Sequence, residues 1–123
     1  MCKTVLLIAH TPSPNTMALA NAAIEAVASA DTGNVIMQLM SPFDVRTPDV
    51  NDAAAVIIGT TENIGYMAGA TKDMFDRCYN DWFESAAAKP APLVTRGAWQ
   101  DDFCTEVSEL CLGVAIGIDS GIY

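Results

Sequence analysis

The chain has 123 residues, enough for one domain, taken as 1–123, and too few for two ordinary ones. Apolar residues make up 51% and charged residues 17%, which supplies a core and argues against disorder throughout. Fifteen acidic against six basic side chains leave a net charge of −9, unsuited to nucleic acid or anionic membrane but compatible with docking to a basic protein. Cys2, Cys78, Cys104 and Cys111 form no C-x-x-C pair, and a single histidine accompanies them, so neither a metal site nor a thioredoxin-type motif is expected. The apolar start is too short to span a bilayer and lacks a signal-type cleavage site. The expectation is a reduced, cytoplasmic protein whose thiols fill the core.

In chain order, residues 5–9 form an unbroken apolar run that reads as a strand buried on both faces. A proline-punctuated turn follows, and then Met17, Ala20, Ile24 and Val27 recur at helical spacing. Residues 35–40 read as a second strand, 41–52 leave room for one helical turn, and 54–59 read as a third buried strand. Helical period returns through Ala70, Met74, Cys78 and Trp82, with Lys72–Asp76 and Asp73–Arg77 as i,i+4 pairs on the outer faces. Beyond an alanine- and proline-containing linker, 93–95 read as a weak fourth strand, 103–112 as a helix with Cys104 and Cys111 inward, and the glycine-interrupted run 113–118 as a fifth strand. Strands alternating with helices predict an α/β fold of three layers around a doubly wound parallel sheet. The methionines Met17, Met37, Met40, Met67 and Met74 read as core.

Ligands of open parallel sheets bind beyond the carboxyl ends of the strands. Loops 10–16 and 60–66 both leave such ends. The first offers Thr11, Ser13, Asn15 and Thr16, uncharged groups at a helix N-terminus of the kind that hold a phosphate, or else a turn in which Asn15 simply caps the helix. It lacks the Gly-Lys-Ser/Thr ending of a Walker loop, and no G-x-G-x-x-G is present. His10, alone after a strand, reads as a hydrogen-bonded structural residue, and no nucleophile has a matching base.

Thr11-Pro12-Ser13-Pro14-Asn15-Thr16 resembles the T/S-x-T-G-N-T phosphate loop of flavodoxin-like FMN-binding proteins. The run from Ile58-Gly59-Thr60-Thr61-Glu62-Asn63-Ile64-Gly65-Tyr66-Met67-Ala68-Gly69 to Lys72-Asp73-Met74-Phe75-Asp76-Arg77 is similar to G-T-P-x-x-x-G-x-M-x-G-x-x-K-x-F-x-D-R of flavodoxin-family reductases. The resemblance covers residues 3–82 and fades after Gly97, so the chain reads as C-terminally short or divergent. It implies a flavodoxin-like, five-stranded sheet of order 2-1-3-4-5 lacking the final helix. FMN would lie at the β1/β3 edge, its phosphate held by Thr11, Ser13, Asn15 and Thr16. Thr60, Thr61, Glu62, Asn63 and Gly65 would wrap the ribityl chain and ring, with Tyr66 nearby. A third loop, at 95–99, would bring Gly97 to the ring and offer Trp99 for stacking. Pro14 departs from the family's glycine and, with Pro12, removes two backbone donors; Thr61 replaces a proline.

The activity so implied is an FMN-dependent oxidoreductase taking hydride from NAD(P)H and reducing a quinone, flavin or similar small-molecule acceptor. Two alternatives stand beside it: an electron-carrying flavodoxin that docks a redox partner protein, and a truncated non-catalytic relative. The resemblance also allows a homodimer, and a bare end at Ile116, Ile118 and Ile122 is the expected partner surface.

Overall fold

The computed structural model describes residues 2–30, 32–82 and 98–121. Its centre is β1 (Lys3–Ala9), whose residues 5–9 are all buried. Parallel partners flank it, β2 (Val35–Met40) in register from Lys3 opposite Val35 and β3 (Ala55–Gly59) from Val5 opposite Ala55, giving the order β2-β1-β3. A strand covered on both faces carries apolar side chains at every position, which is why this run does not alternate. Four helices lie among the described residues: α1 (Pro14–Ser29), α2 (Thr47–Asn51), α3 (Gly69–Trp82) and α4 (Asp102–Asp119).

Strand geometry sends alternate side chains of β1 to opposite layers. Val5, Leu7 and Ala9 meet Ala20, Ala23 and Val27 of α1 and Cys111, Ala115 and Ile118 of α4. Leu6 and Ile8 meet Met74 of α3 and Val45, with Phe75 packed alongside. The architecture is therefore the expected three-layer α/β one, and the first three strands stand in the expected order. Arg77 secures the second layer, donating from Nε to Asp73 at 2.7 Å and from its two terminal nitrogens to the carbonyls of Val45 and Pro42. Lys72 donates to Asp76 at 2.9 Å, so both expected i,i+4 pairs form.

The end of the chain corrects the sequence reading. Residues 113–118 are not a fifth strand but the second half of α4, which runs on from the expected helix at 103–112. The sheet has three strands among the described residues, and the fourth strand expected at 93–95 lies outside them. The final helix expected to be missing is present as α4. It lies parallel to α1, with Cys104 Sγ 3.9 Å from the Ala18 carbonyl and Ser108 Oγ donating to Ala22 at 3.3 Å. Lys3 Nζ donates to the Ile118 carbonyl at 2.9 Å, a cation on the negative end of that helix. Ile118 is buried, so it is no partner surface, while Ile116 is exposed and Ile122 lies outside the described residues. Met17 is 40% exposed, a second correction to the expected core.

Gly113 lies exposed inside α4 without positive φ, and a Cβ built there meets nothing within 4 Å. Gly113→Ala is expected to stabilise the fold by about 0.5–1 kcal/mol, because alanine loses less backbone entropy in a helix. Thermal melts would show it; a lower melting temperature would argue against helix at this position.

The thiols divide by burial: Cys2 is exposed, Cys104 half-buried, and Cys78 and Cys111 buried. Burial pushes the Cys111 thiol up from 9.0 to about 11. The folded chain keeps this proton where the unfolded chain releases it, so the stability it contributes holds below pH 9 and is lost as pH rises to about 11. Denaturant midpoints should fall across that window in the native protein and fall less in Cys111→Ala. Alkylation should reach Cys2 at once and Cys78 and Cys111 only on unfolding.

Candidate functional site

Two loops meet at the carboxyl edge of the sheet. Ala9 pairs in register with Gly59, and a Cβ on Gly59 would stand 3.4 Å from that of Ala9, so the two strands end on the smallest side chains. The His10 backbone N–H donates to the Gly59 carbonyl at 3.0 Å, which joins the exit of β1 to the exit of β3. His10 thus serves through its backbone.

The first loop enters α1 through Ser13, not Asn15. Ser13 is the N-cap, and Pro14 occupies the first helical turn, where its missing N–H costs nothing. The Thr16 N–H donates to Ser13 Oγ at 3.3 Å and the Ser13 N–H to Thr16 Oγ1 at 3.0 Å, a reciprocal capping box. Thr16 Oγ1 also donates to the Ser13 carbonyl at 2.9 Å. Pattern S-x-x-T directly before the apolar stripe carried this signal in the sequence. Thr11 is half-buried and Asn15 exposed on the rim.

The second loop is a small antiparallel hairpin. Strands β4 (Glu62–Asn63) and β5 (Tyr66–Met67) are joined by Ile64 and Gly65, with φ of 53° and 73°. Two consecutive positive φ values match the twist of a two-residue hairpin turn, for which Asn-Gly is the usual signal. Ile64 hides that signal, and a β-branched residue there is under backbone strain. Its side chain is wholly exposed, and Tyr66 beside it is 56% exposed. Thr60 braces the base of the hairpin, accepting from the Ala68 N–H at 3.1 Å and donating to the Thr61 carbonyl at 3.0 Å. Thr61 is half-buried, while Glu62, Asn63 and Gly65 are exposed.

Gly97 lies outside the described residues. Trp99 packs edge-on against Phe103, ring centroids 5.7 Å apart at 88°. Because α4 runs parallel to α1, this pair stands at the same edge as the first loop. An open concavity of about 390 Å³ lies on the β2 side of that loop, bounded by Ala9, His10, Thr11, Pro12, Leu39 and Ser41, and does not include the hairpin. Ile64 and Thr71 are two residues the sequence reading did not single out. Thr71, in the first turn of α3, is buried with its hydroxyl unpartnered.

Neither loop contains lysine or arginine. The two loops therefore form a hydrogen-bonding edge with no lysine or arginine, one carboxylate, Glu62, and an apolar hairpin tip.

No known protein-family profile matches the chain, and no curated protein sequence does. A solved structure described as a flavodoxin from the domain Archaea superposes with a TM-score of 0.70, covering 94% of this chain and 98% of that one at 16% identity. Its agreement with the β2-β1-β3 sheet, with α1 and α4 on one face and α3 on the other, leads to one conclusion: this chain has a flavodoxin-like fold.

Proposed function

We propose that the protein binds FMN at this edge and acts as an NAD(P)H-dependent oxidoreductase, passing electrons to a quinone, flavin or similar acceptor. The observation that carries the reading is the junction of the two loops at neighbouring strand ends, tied by the His10–Gly59 hydrogen bond in a flavodoxin-like fold. The residues present fit a flavin in kind. Thr11 and Asn15 offer polar groups toward one end, Ala9 and Gly59 leave the strand ends unobstructed, and Ile64 and Tyr66 present apolar surface suited to a flat ring. A bound flavin supplies the hydride and electron chemistry itself. Protein groups then have three tasks. Ser13, Pro14 and Thr16 hold the first loop in shape; Thr60 and Thr61 keep the hairpin upright, presenting Glu62, Asn63 and Gly65; Ile64, Tyr66 and Trp99 exclude water.

An electron carrier is the second reading, favoured by the charge of −9 and by exposed acids along the first half of α4, with Asp101 and Asp102 at its head, at the same edge, and Glu106 and Glu109 further on. The discriminating experiment adds NADH or NADPH to the FMN-loaded protein without oxygen. Loss of the visible flavin band is the expected result; a band that bleaches only when a partner reductase is added would overturn the enzyme reading in favour of the carrier.

A further inference from the structure

Proline content, the capping box and the distribution of cations all bear on one end of the proposed ligand. A phosphate at a helix N-terminus is held by backbone N–H groups, hydroxyls and, often, a cation. Here Pro12 and Pro14 have no N–H. The N–H groups of Ser13 and Thr16 are committed to each other's hydroxyl oxygens, and the Thr16 hydroxyl donates to the Ser13 carbonyl. The backbone N–H of His10 is committed to Gly59. The Ser13 hydroxyl lies 3.1 Å from Thr16 Oγ1 and is engaged there, which leaves, among the described residues, Thr11, Asn15 and the imidazole of His10 as donors for an anion in this loop.

Among the described residues cations are equally scarce. Lys3 is bound to Ile118 at the opposite end of β1, Lys72 to Asp76 and Arg77 to Asp73, and Arg46 stands at the head of α2, while Lys89 and Arg96 lie outside the described residues. A phosphate carrying nearly two negative charges would also approach a chain of net charge −9.

We infer that this site recognises a flavin by its ring and ribityl chain and gains little from the 5′-phosphate, so that riboflavin and FMN bind with similar affinity. The inference rests on the flavin-binding reading above. Each charge-assisted hydrogen bond to a phosphate is worth roughly tenfold in affinity or more, so a complete cradle would separate the two ligands by orders of magnitude.

Quenching of flavin fluorescence by the full chain, titrated with riboflavin and with FMN, provides the test. The dissociation constants are expected to agree within about tenfold. Pro14→Ala restores an N–H at the first helical position and should tighten FMN by about fivefold or more relative to riboflavin, a melting curve serving as the folding control. A wild-type preference for FMN beyond tenfold, or a Pro14→Ala effect that is absent or shared by both ligands, would overturn the inference while leaving flavin binding intact. If neither ligand binds, the flavin reading itself fails and carries this inference with it.

Discussion

Ala115→Asp is expected to abolish folding, whereas Ile116→Asp, one residue on, should leave the fold intact. Ala115 is fully buried between β1 and α1, and a carboxylate there would be left with no partner in the apolar cluster of Val5, Leu7, Ala23 and Cys111. Burying an unpaired charge costs several kcal/mol or more, a large share of the roughly 5–15 kcal/mol that holds an ordinary domain together. Ile116 is 49% exposed on the outer side of the same helix, so its replacement should cost about 1 kcal/mol or less. The pair also separates helix from strand. In a strand, residues 114, 116 and 118 would share a face and 115 would point away from Ile118. Circular dichroism and a melting transition for Ile116→Asp, with neither for Ala115→Asp, is the expected pattern; the reverse would contradict the docking of α4 on α1.

Ile64→Asn is expected to raise stability by about 1–2 kcal/mol while weakening flavin binding about tenfold. The left-handed conformation costs an L-residue with a Cβ roughly 1–2 kcal/mol, and asparagine tolerates it far better. Since the Ile64 side chain is wholly exposed, its removal sacrifices no packing in the free protein. Covering such a side chain with a flavin ring is worth about 1.5–3 kcal/mol, which is tenfold in affinity or more. Strain and exposure together make Ile64 a poor choice for folding and a reasonable one for contact with a ligand. Melting curves and flavin titrations on one preparation would separate the two effects. Equal flavin affinity in the variant would remove Ile64 from the binding surface, and an unchanged melting temperature would remove the strain.

The first two-thirds of the fold was legible because its signals are redundant. The run 5–9 is apolar at every position, α1 combines helical period with a proline at its start, and α3 adds two ion pairs to its stripe. At residues 113–118 the signals conflict. Gly113 and Gly117 disfavour helix, and Val114, Ile116 and Ile118 alternate as strand residues do. Packing on α1 and β1 overrides that local preference, and the spacing of Cys111, Ala115 and Ile118 records it. Loop 60–66 was placed correctly, but its hairpin was hidden because Ile-Gly stands where Asn-Gly would announce the turn. Asn15 drew attention as a cap although Pro14, fixed at the start of α1, leaves that position to Ser13. The unpartnered hydroxyl of Thr71 had no sequence signature, since burial of one threonine in a helix depends on tertiary contacts alone.

Flavin titration of the purified full chain tests the central claim most directly. Saturable quenching of flavin fluorescence at one flavin per chain, with a visible absorbance band retained through gel filtration, is the expected result. Absence of quenching and of any retained band at flavin concentrations up to about 1 mM would contradict flavin binding at this edge, leaving the flavodoxin-like fold without its proposed cofactor.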